Sequence, residues 1–306
     1  MTAEIFARGA LLLLDKPEGL TSHDVVERAR RASGVAKIGH SGTLDPMATG
    51  LLVLCCGKAA RLQGFFTGLP KSYEGSIALG RATTTYDREG ETTSESRVPE
   101  LSLDTIERAA DAFRGRFEQL APPFSAKKSG GRRFYEMARK GEEVPRLPKT
   151  VTVTEFAIER SAPARLAFRL SCSSGTYVRS IAHDLGGTLG CGAHLASLRR
   201  TRIGNFDVAD ALTLDGFERA DPELRASLPH AIPLSKIPLP FPRMPVASLE
   251  AWKVRRGQPI PARLSGSDGD WVSIVGSDDE LLALGQMTPV GTGKIAMIKP
   301  KIVLAD

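Results

Sequence analysis

The sequence predicts an α+β protein, a mixed sheet with helices packed on it, followed by a small all-β unit. Three observations carry this. Strand-like and helix-like segments alternate irregularly, which disfavours a regular βαβ repeat. Seven prolines fall between Pro222 and Pro245, as in a linker or extended crossover. The last 61 residues, Val246 to Asp306, hold seven glycines and short β-rich runs such as Trp271 to Val275 and Ile295 to Ile298. The expected units are therefore residues 1–240 and 246–306.

In chain order, Ala10 to Leu14 reads as a short buried strand and Asp15 to Gly19 as the turn leaving it. Thr21 or Ser22 then caps a helix that ends just before Gly34. Lys71 to Gly80 alternates, with Tyr73, Gly75, Ile77 and Leu79 on one face. Ser102 caps a helix expected to turn Leu103, Ile106, Ala110 and Phe113 inward and to stop at Gly115. Arg165 to Cys172 alternates, with Leu166, Phe168, Leu170 and Cys172 on one side. The loop Ser173 to Thr176 feeds a helix whose buried stripe is Val178, Ile181, Ala182 and Leu185.

Composition bounds the function. Of 306 residues, 42% are hydrophobic and 25% charged, which is a globular composition. No apolar run approaches the ~20 residues needed to cross a bilayer. Met1 to Arg8 includes Glu4 and precedes no long apolar core, which argues against a secretory signal. Cys55, Cys56, Cys172 and Cys191 form no C-x-x-C pair, and the five histidines do not join them at zinc spacing, so no metal site is expected. Small buried thiols in a reducing cytoplasm are the expectation.

The net charge of +6 is concentrated: Ser125 to Lys149 holds eight Lys or Arg and three Glu. Phe134 and Tyr135 interrupt the basic run and Gly130-Gly131 precedes it. A solvated helix face is the plain alternative, but basic side chains interleaved with aromatics favour a polyanion partner, nucleic acid above all.

The most informative stretch is Gly39-His40-Ser41-Gly42-Thr43-Leu44-Asp45-Pro46-Met47-Ala48-Thr49-Gly50. Its glycines allow tight turning, and Pro46 biases Asp45 away from the α region. Asp before Pro is equally the ordinary start of a helix, and His40 alone reads as a loop histidine. The stretch resembles the signature of the bacterial tRNA pseudouridine-55 synthase family (TruB-type), usually GHTGTLDPLATG, with Ser41 for Thr and Met47 for Leu. Further family-like segments follow in order: Leu12 to Pro17 with Gly19 and Ser22, Lys71-Ser72-Tyr73, Pro122 to Lys128, Gly175 to Ile181, and Leu198-Arg199-Arg200.

The resemblance implies the pseudouridine synthase fold, with a largely antiparallel central sheet and a small PUA-like domain at the C-terminus. It implies isomerisation of uridine 55 in the T loop of tRNA: uracil leaves C1′, turns, and rejoins through C5. No redox change or phosphate transfer occurs, so no cofactor is needed. Asp45 matches the catalytic aspartate, Arg179 the arginine that pairs with it, and Tyr73 the tyrosine that lies against the target base. A guanidinium favours the ionised carboxylate and limits its rotation. A core tyrosine and a cation at a helix start are the plain readings of Tyr73 and Arg179. His40, Tyr177 and Leu198 match residues around the flipped nucleotide, since an enzyme acting on a base must extrude it.

Lys16 matches a supporting position, whereas Arg199 and Arg200 read equally as phosphate contacts or surface charge. The insertion at about 122–150 matches the segment that closes over the tRNA T arm. Two departures stand out: Thr84 replaces an acid in Thr83 to Gly90, and Phe124 replaces a tyrosine. The implied enzyme is a cytoplasmic monomer that acts on tRNA without guide RNA or membrane. A non-catalytic RNA-binding protein and a guide-dependent relative are the alternatives.

Overall fold

The structure is a computed structural model that describes residues 6–124, 128–129, 132–133, 148–221, 230–290 and 295–305. After a helical turn at residues 6–8 comes strand β1 (Ala10–Lys16), whose leucines are buried on both faces of a sheet. That is why β1 reads as an apolar run without alternation. Helix α1 (Ser22–Ser33) follows. Thr21 caps it with a full capping box to Asp24, and Gly34 closes it in the left-handed conformation. Leu12 and Leu14 pack against Val25, Val26 and Ala29 of this helix.

Strands β2 (Ile38–His40) and β3 (Thr49–Cys56) flank the Asp45 loop, and a short helix, α2 (Gln63–Thr67), leads to β4 (Lys71–Leu79). A small hairpin, β5 (Arg81–Thr83) with β6 (Thr92–Glu95), precedes α3 (Leu103–Asp111) and β7 (Gly115–Leu120). Helix α3 starts at the expected Ser102 cap, but it ends at Asp111. Phe113 is buried beyond the helix, and Leu103 in the first turn points outward at 61% exposure. The inward stripe is therefore Ile106, Ala109 and Ala110.

Of the basic stretch Ser125 to Lys149, the described part is a hairpin of β8 (Lys128–Ser129) and β9 (Arg132–Arg133), with Pro148 and Lys149 opening β10 (Pro148–Ala162). The remainder of the expected clamp lies outside the described residues. Strand β11 (Arg165–Cys172) alternates as predicted, and α4 (Val178–Thr188) buries Val178, Ile181, Ala182 and Leu185. Next come β12 (Ala193–Ile203), β13 (Phe206–Asp207), β14 (Leu212–Thr213) and α5 (Leu214–Arg219).

The proline-rich stretch is more than a linker. Within it, β15 (Ala231–Pro233) pairs with β1, and β16 (Arg243–Pro245) opens the C-terminal sheet. That sheet continues through β17 (Ile260–Pro261), β18 (Trp271–Val275), β19 (Leu281–Val290) and β20 (Ile295–Val303). The expected β unit is present, and it also carries a helix, α6 (Ser248–Arg255), that the sequence reading missed.

Among the described residues the central sheet has eleven strands, with main order β14-β1-β3-β12-β4-β11-β10-β7. β1–β14 and β3–β12 pair in parallel and the other pairs run antiparallel. The parallel pair matters most, because it sets Gly50 beside Arg200 and so joins the Asp45 loop to the C-terminal half of the sheet. Leu11 and Leu13 face away from α1 into a cluster that includes Ile203, Val275, Leu281 and Leu304, which ties the two sheets together. Each such leucine stabilises the fold by about 1.5–3 kcal/mol. No helix among the described residues is long and apolar enough to cross a membrane.

Candidate active site

Asp45 lies in the loop between β2 and β3, not at a helix start. Its carbonyl accepts the Ala48 N–H at 3.0 Å, closing a tight turn, and β3 follows at once. The loop is held from several sides by polar contacts. The Ser22 hydroxyl both accepts from the Leu44 N–H (2.8 Å) and donates to the Leu44 carbonyl (3.1 Å). Lys16 is fully buried, and its ammonium donates to the carbonyls of Pro17 (2.9 Å), Leu20 (2.6 Å) and Pro46 (3.2 Å). Burial pulls the Lys16 pKa down to about 8, with the Asp45 carboxylate opposing the shift.

Arg200 settles the two readings left open for it. It is neither a surface charge nor a free phosphate contact, because its side chain is 1% exposed. Its Nε donates to the Leu51 carbonyl (2.8 Å), Nη2 to Gly42 (3.1 Å) and Nη1, more weakly, to Thr43 (3.4 Å). Burial lowers its pKa, offset by the neighbouring Tyr73 phenol. Arg199 pairs with Asp15 at 2.6 and 2.9 Å on the opposite side of the strand.

Arg179, in the first turn of α4, grips Asp45 through both oxygens: Nε to Oδ2 at 3.0 Å and Nη2 to Oδ1 at 3.2 Å. Its other N–H groups reach the Thr85 carbonyl (3.0 Å), Asp87 Oδ2 (3.4 Å) and the Phe124 carbonyl (3.0 Å). Three of these contacts are hydrogen bonds, to Asp45, Thr85 and Phe124, and the Nε–Asp45 and Nη1–Asp87 approaches add ion pairing. The Arg179 side chain is 9% exposed and that of Asp45 34% exposed, so the carboxylate is anchored from behind and open in front. Phe124 contributes by its backbone, so losing a hydroxyl there leaves this contact intact.

Tyr73, His40, Tyr177 and Leu198 complete the wall. A cavity of about 550 Å³ is lined by all six residues singled out in the sequence, together with Gln63, Lys71, Gln119, Lys149 and Arg200. Its size is that of a small-molecule pocket. Tyr73 is buried on β4 beside Arg200, and burial raises its pKa. His40 Nδ1 accepts the Gly42 N–H at 3.3 Å, and burial holds its pKa below the ordinary value, so the ring is neutral at pH 7. Lys71 donates to the Thr67 (2.6 Å) and Leu69 (2.7 Å) carbonyls, and burial draws its pKa to about 8.

Three contributors escaped the sequence reading. Gln119 holds Tyr177 by a reciprocal pair, accepting the Tyr177 N–H (2.7 Å) and donating to its carbonyl (3.0 Å). Alternation along β7 points to an inward Gln119 but not to its partner. Asp87 is buried and braces Arg179, and Thr85 supplies a carbonyl. Both sit in the segment around Thr84 that drew notice only for its departure. Among the described residues, no three His, Cys, Asp or Glu side chains converge as a metal site requires.

The fold is that of the pseudouridine synthases. The same fold occurs in a Cbf5–Nop10–Gar1 complex, with a TM-score of 0.73 at 26% identity over 99% of this chain and 87% of that one. It occurs again in an H/ACA ribonucleoprotein bound to a substrate RNA containing 2′-deoxyuridine, with a TM-score of 0.73 at 24% identity and the same coverage.

Residues 30–178 match the N-terminal domain of the TruB family of pseudouridylate synthases, and residues 179–236 match the tRNA pseudouridylate synthase B C-terminal domain. The tRNA pseudouridine synthase B of Solibacter usitatus is 44% identical over 280 residues, 90% of this chain and 95% of that protein. That of Opitutus terrae is 51% identical over 208 residues, 68% of this chain and 86% of that protein. The chain belongs to the TruB family of tRNA pseudouridylate synthases, and it is an enzyme, an isomerase.

Proposed function

We propose that this enzyme converts uridine 55 in the T loop of tRNA to pseudouridine, acting alone and without guide RNA or cofactor. The observation that carries the reading is the Arg179–Asp45 ion pair opening into the cavity beside Tyr73. The C1′–N1 bond breaks, a C1′–C5 bond forms, the C5 proton leaves and N1 gains one, so atoms and electrons balance without an oxidant. Asp45 supplies the oxygen that the electron-poor C1′ needs, and Arg179 holds it aimed. Tyr73 lies against the uracil and is placed to take the C5 proton. His40, Tyr177 and Leu198 surround the extruded nucleotide.

Guide-independent action is supported by the match to B-type synthases over nearly their whole length. The basic stretch Ser125 to Lys149 suits a clamp on the T arm. On this reading residues 1–240 carry the chemistry, residues 246–306 add RNA contacts, and the enzyme works as a cytoplasmic monomer.

The test is release of tritium from a tRNA transcript labelled at uridine C5, with protein alone. Release that requires both uridine 55 and Asp45, and disappears in Asp45→Asn while tRNA binding persists, supports the proposal. An Asp45→Asn variant within tenfold of the parent rate refutes the assignment of Asp45. Tight tRNA binding without release by the parent refutes guide-free catalysis.

A further inference from the structure

Helix α4 carries Arg179 and His183 four residues apart, and so on one face. The segment Thr83 to Gly90 crosses that face and meets both. The Thr85 carbonyl accepts from the Arg179 guanidinium, and Asp87 forms an ion pair with it at 3.4 Å. Between them, the Tyr86 ring lies flat on the His183 imidazole, with centroids 3.7 Å apart and planes within 11°.

Tyr86 also has a φ of +65°, one of two positive values at non-glycine residues in the described chain. A bulky L-residue is poorly suited to that conformation, and such strain persists only where the surroundings over-determine it. Here they do. The Tyr86 N–H donates to the Thr83 carbonyl (3.2 Å), and its own carbonyl accepts from the Leu195 N–H (3.0 Å). The peptide that joins Thr85 to Tyr86 carries, at one end, the carbonyl that receives Arg179. A rotation of Tyr86 therefore turns that acceptor away from the guanidinium.

We infer that the Tyr86–His183 stack is a positioning device: it fixes the Thr85 carbonyl and Asp87 against Arg179, and through Arg179 it sets the Asp45 carboxylate. The inference rests on the proposed role of the Arg179–Asp45 pair. It also gives the segment a brace at the place where Thr84 stands for the family's acid. Here Thr84 only ties the segment to itself, its hydroxyl accepting the Glu91 N–H at 3.1 Å.

The test compares full-length Tyr86→Gly, Tyr86→Phe, His183→Ala and the Tyr86→Gly/His183→Ala double variant with the parent. Readouts are kcat and KM for tritium release and the thermal midpoint, with Asp45→Asn as control. Glycine suits the left-handed backbone at position 86, so Tyr86→Gly relieves strain while deleting the stack. The expected result is a kcat lower by about tenfold to hundredfold, with KM within about twofold and no matching loss of thermal midpoint. Tyr86→Phe retains the parent kcat, His183→Ala reproduces the Tyr86→Gly loss, and the double variant is no worse than either single one.

A Tyr86→Gly enzyme with parental kcat overturns the inference, as does a loss shared equally by Tyr86→Phe. So does a fall in kcat that only tracks the thermal midpoint across the series. If Asp45→Asn stays active, the reading of the site itself fails. If Asp45→Asn is inactive and Tyr86→Gly is parental, the stack alone is at fault.

Discussion

Replacing Arg200 by methionine deletes a buried cation whose described partners are backbone carbonyls and the Tyr73 phenol, with no carboxylate among them. Two opposing effects decide the outcome. The fold no longer bears the desolvation of a guanidinium, a cost evident in the lowered Arg200 pKa. Against this, the Leu51 and Gly42 carbonyls lose charged donors at 2.8 and 3.1 Å, and the 3.4 Å contact to Thr43 counts for little. Each buried acceptor deprived of such a donor costs about 1–3 kcal/mol, or ~4 kcal/mol for the two. Relief of desolvation and the retained packing of methionine return part of this. The net expectation is a loss of about 2 kcal/mol, hence a fall in Tm of ~4–8 °C.

The catalytic effect should be larger than the stability effect, because Gly42 and Thr43 lead directly into Asp45 and a 1 Å displacement of a reacting group costs about a hundredfold. Thermal unfolding and single-turnover tritium release on the same preparation test this, with tRNA affinity held within a few-fold. Arg200→Lys keeps the charge but loses the fork, and it should fall between parent and Arg200→Met in both readouts. An Arg200→Met enzyme that matches the parent in Tm and rate would show that backbone contacts alone hold the loop. A Tm loss without a rate loss would refute the link from Arg200 to Asp45.

Two other expectations follow from the same loop. Gly50→Ala forces a side chain onto a φ of +102° and places Cβ 2.3 Å from the Arg200 carbonyl oxygen, so urea unfolding should show a loss of about 3 kcal/mol or more. His40 has a folded-state pKa below its ordinary unfolded value of about 6.5. Between those values the unfolded chain binds the proton and the folded one does not, so this contribution is present above pH ~6.5 and is lost as pH falls. Urea midpoints at pH 7.5 and 5.5 should therefore differ less in His40→Asn than in the parent, with buried His194 leaving a residual slope.

What the sequence disclosed was what depends on neighbours a few residues away. The alternation of β4 and β11 and the Thr21 cap are local, and each stands where periodicity or cap chemistry puts it. Helix α6 escaped because its pattern is not amphipathic: Val254 is its buried residue, while Leu249 and Trp252 face outward. Leu103 misled because α3 ends two residues before Phe113, so the two do not share a stripe. The Asp45 turn was open to two readings for a related reason. Asp-Pro chemistry permits a helix, and only the pairing of β2 and β3 on either side excludes it. The six site residues came from a motif resemblance, and periodicity alone placed only Tyr73 on an inward face.

The contacts that make the site rigid were illegible because they join distant parts of the chain through charge and not through apolar pattern. Arg200 meets Gly42 across 158 positions, and Arg179 meets Asp45 across 134. Lys16, Lys71 and Arg200 are all buried, and each spends its donors on main-chain carbonyls. Apolar packing leaves a glycine-rich loop free to slide, whereas a charged donor shared by several carbonyls fixes the backbone in direction as well as position. Two of these cations also face the cavity: Arg200, which holds the Asp45 loop, and Lys71, which braces the turn before β4 through Thr67 and Leu69. On the proposed function, both add positive potential to the pocket that would receive the RNA strand. Removing any one of them is expected to disturb catalysis before it disturbs the fold.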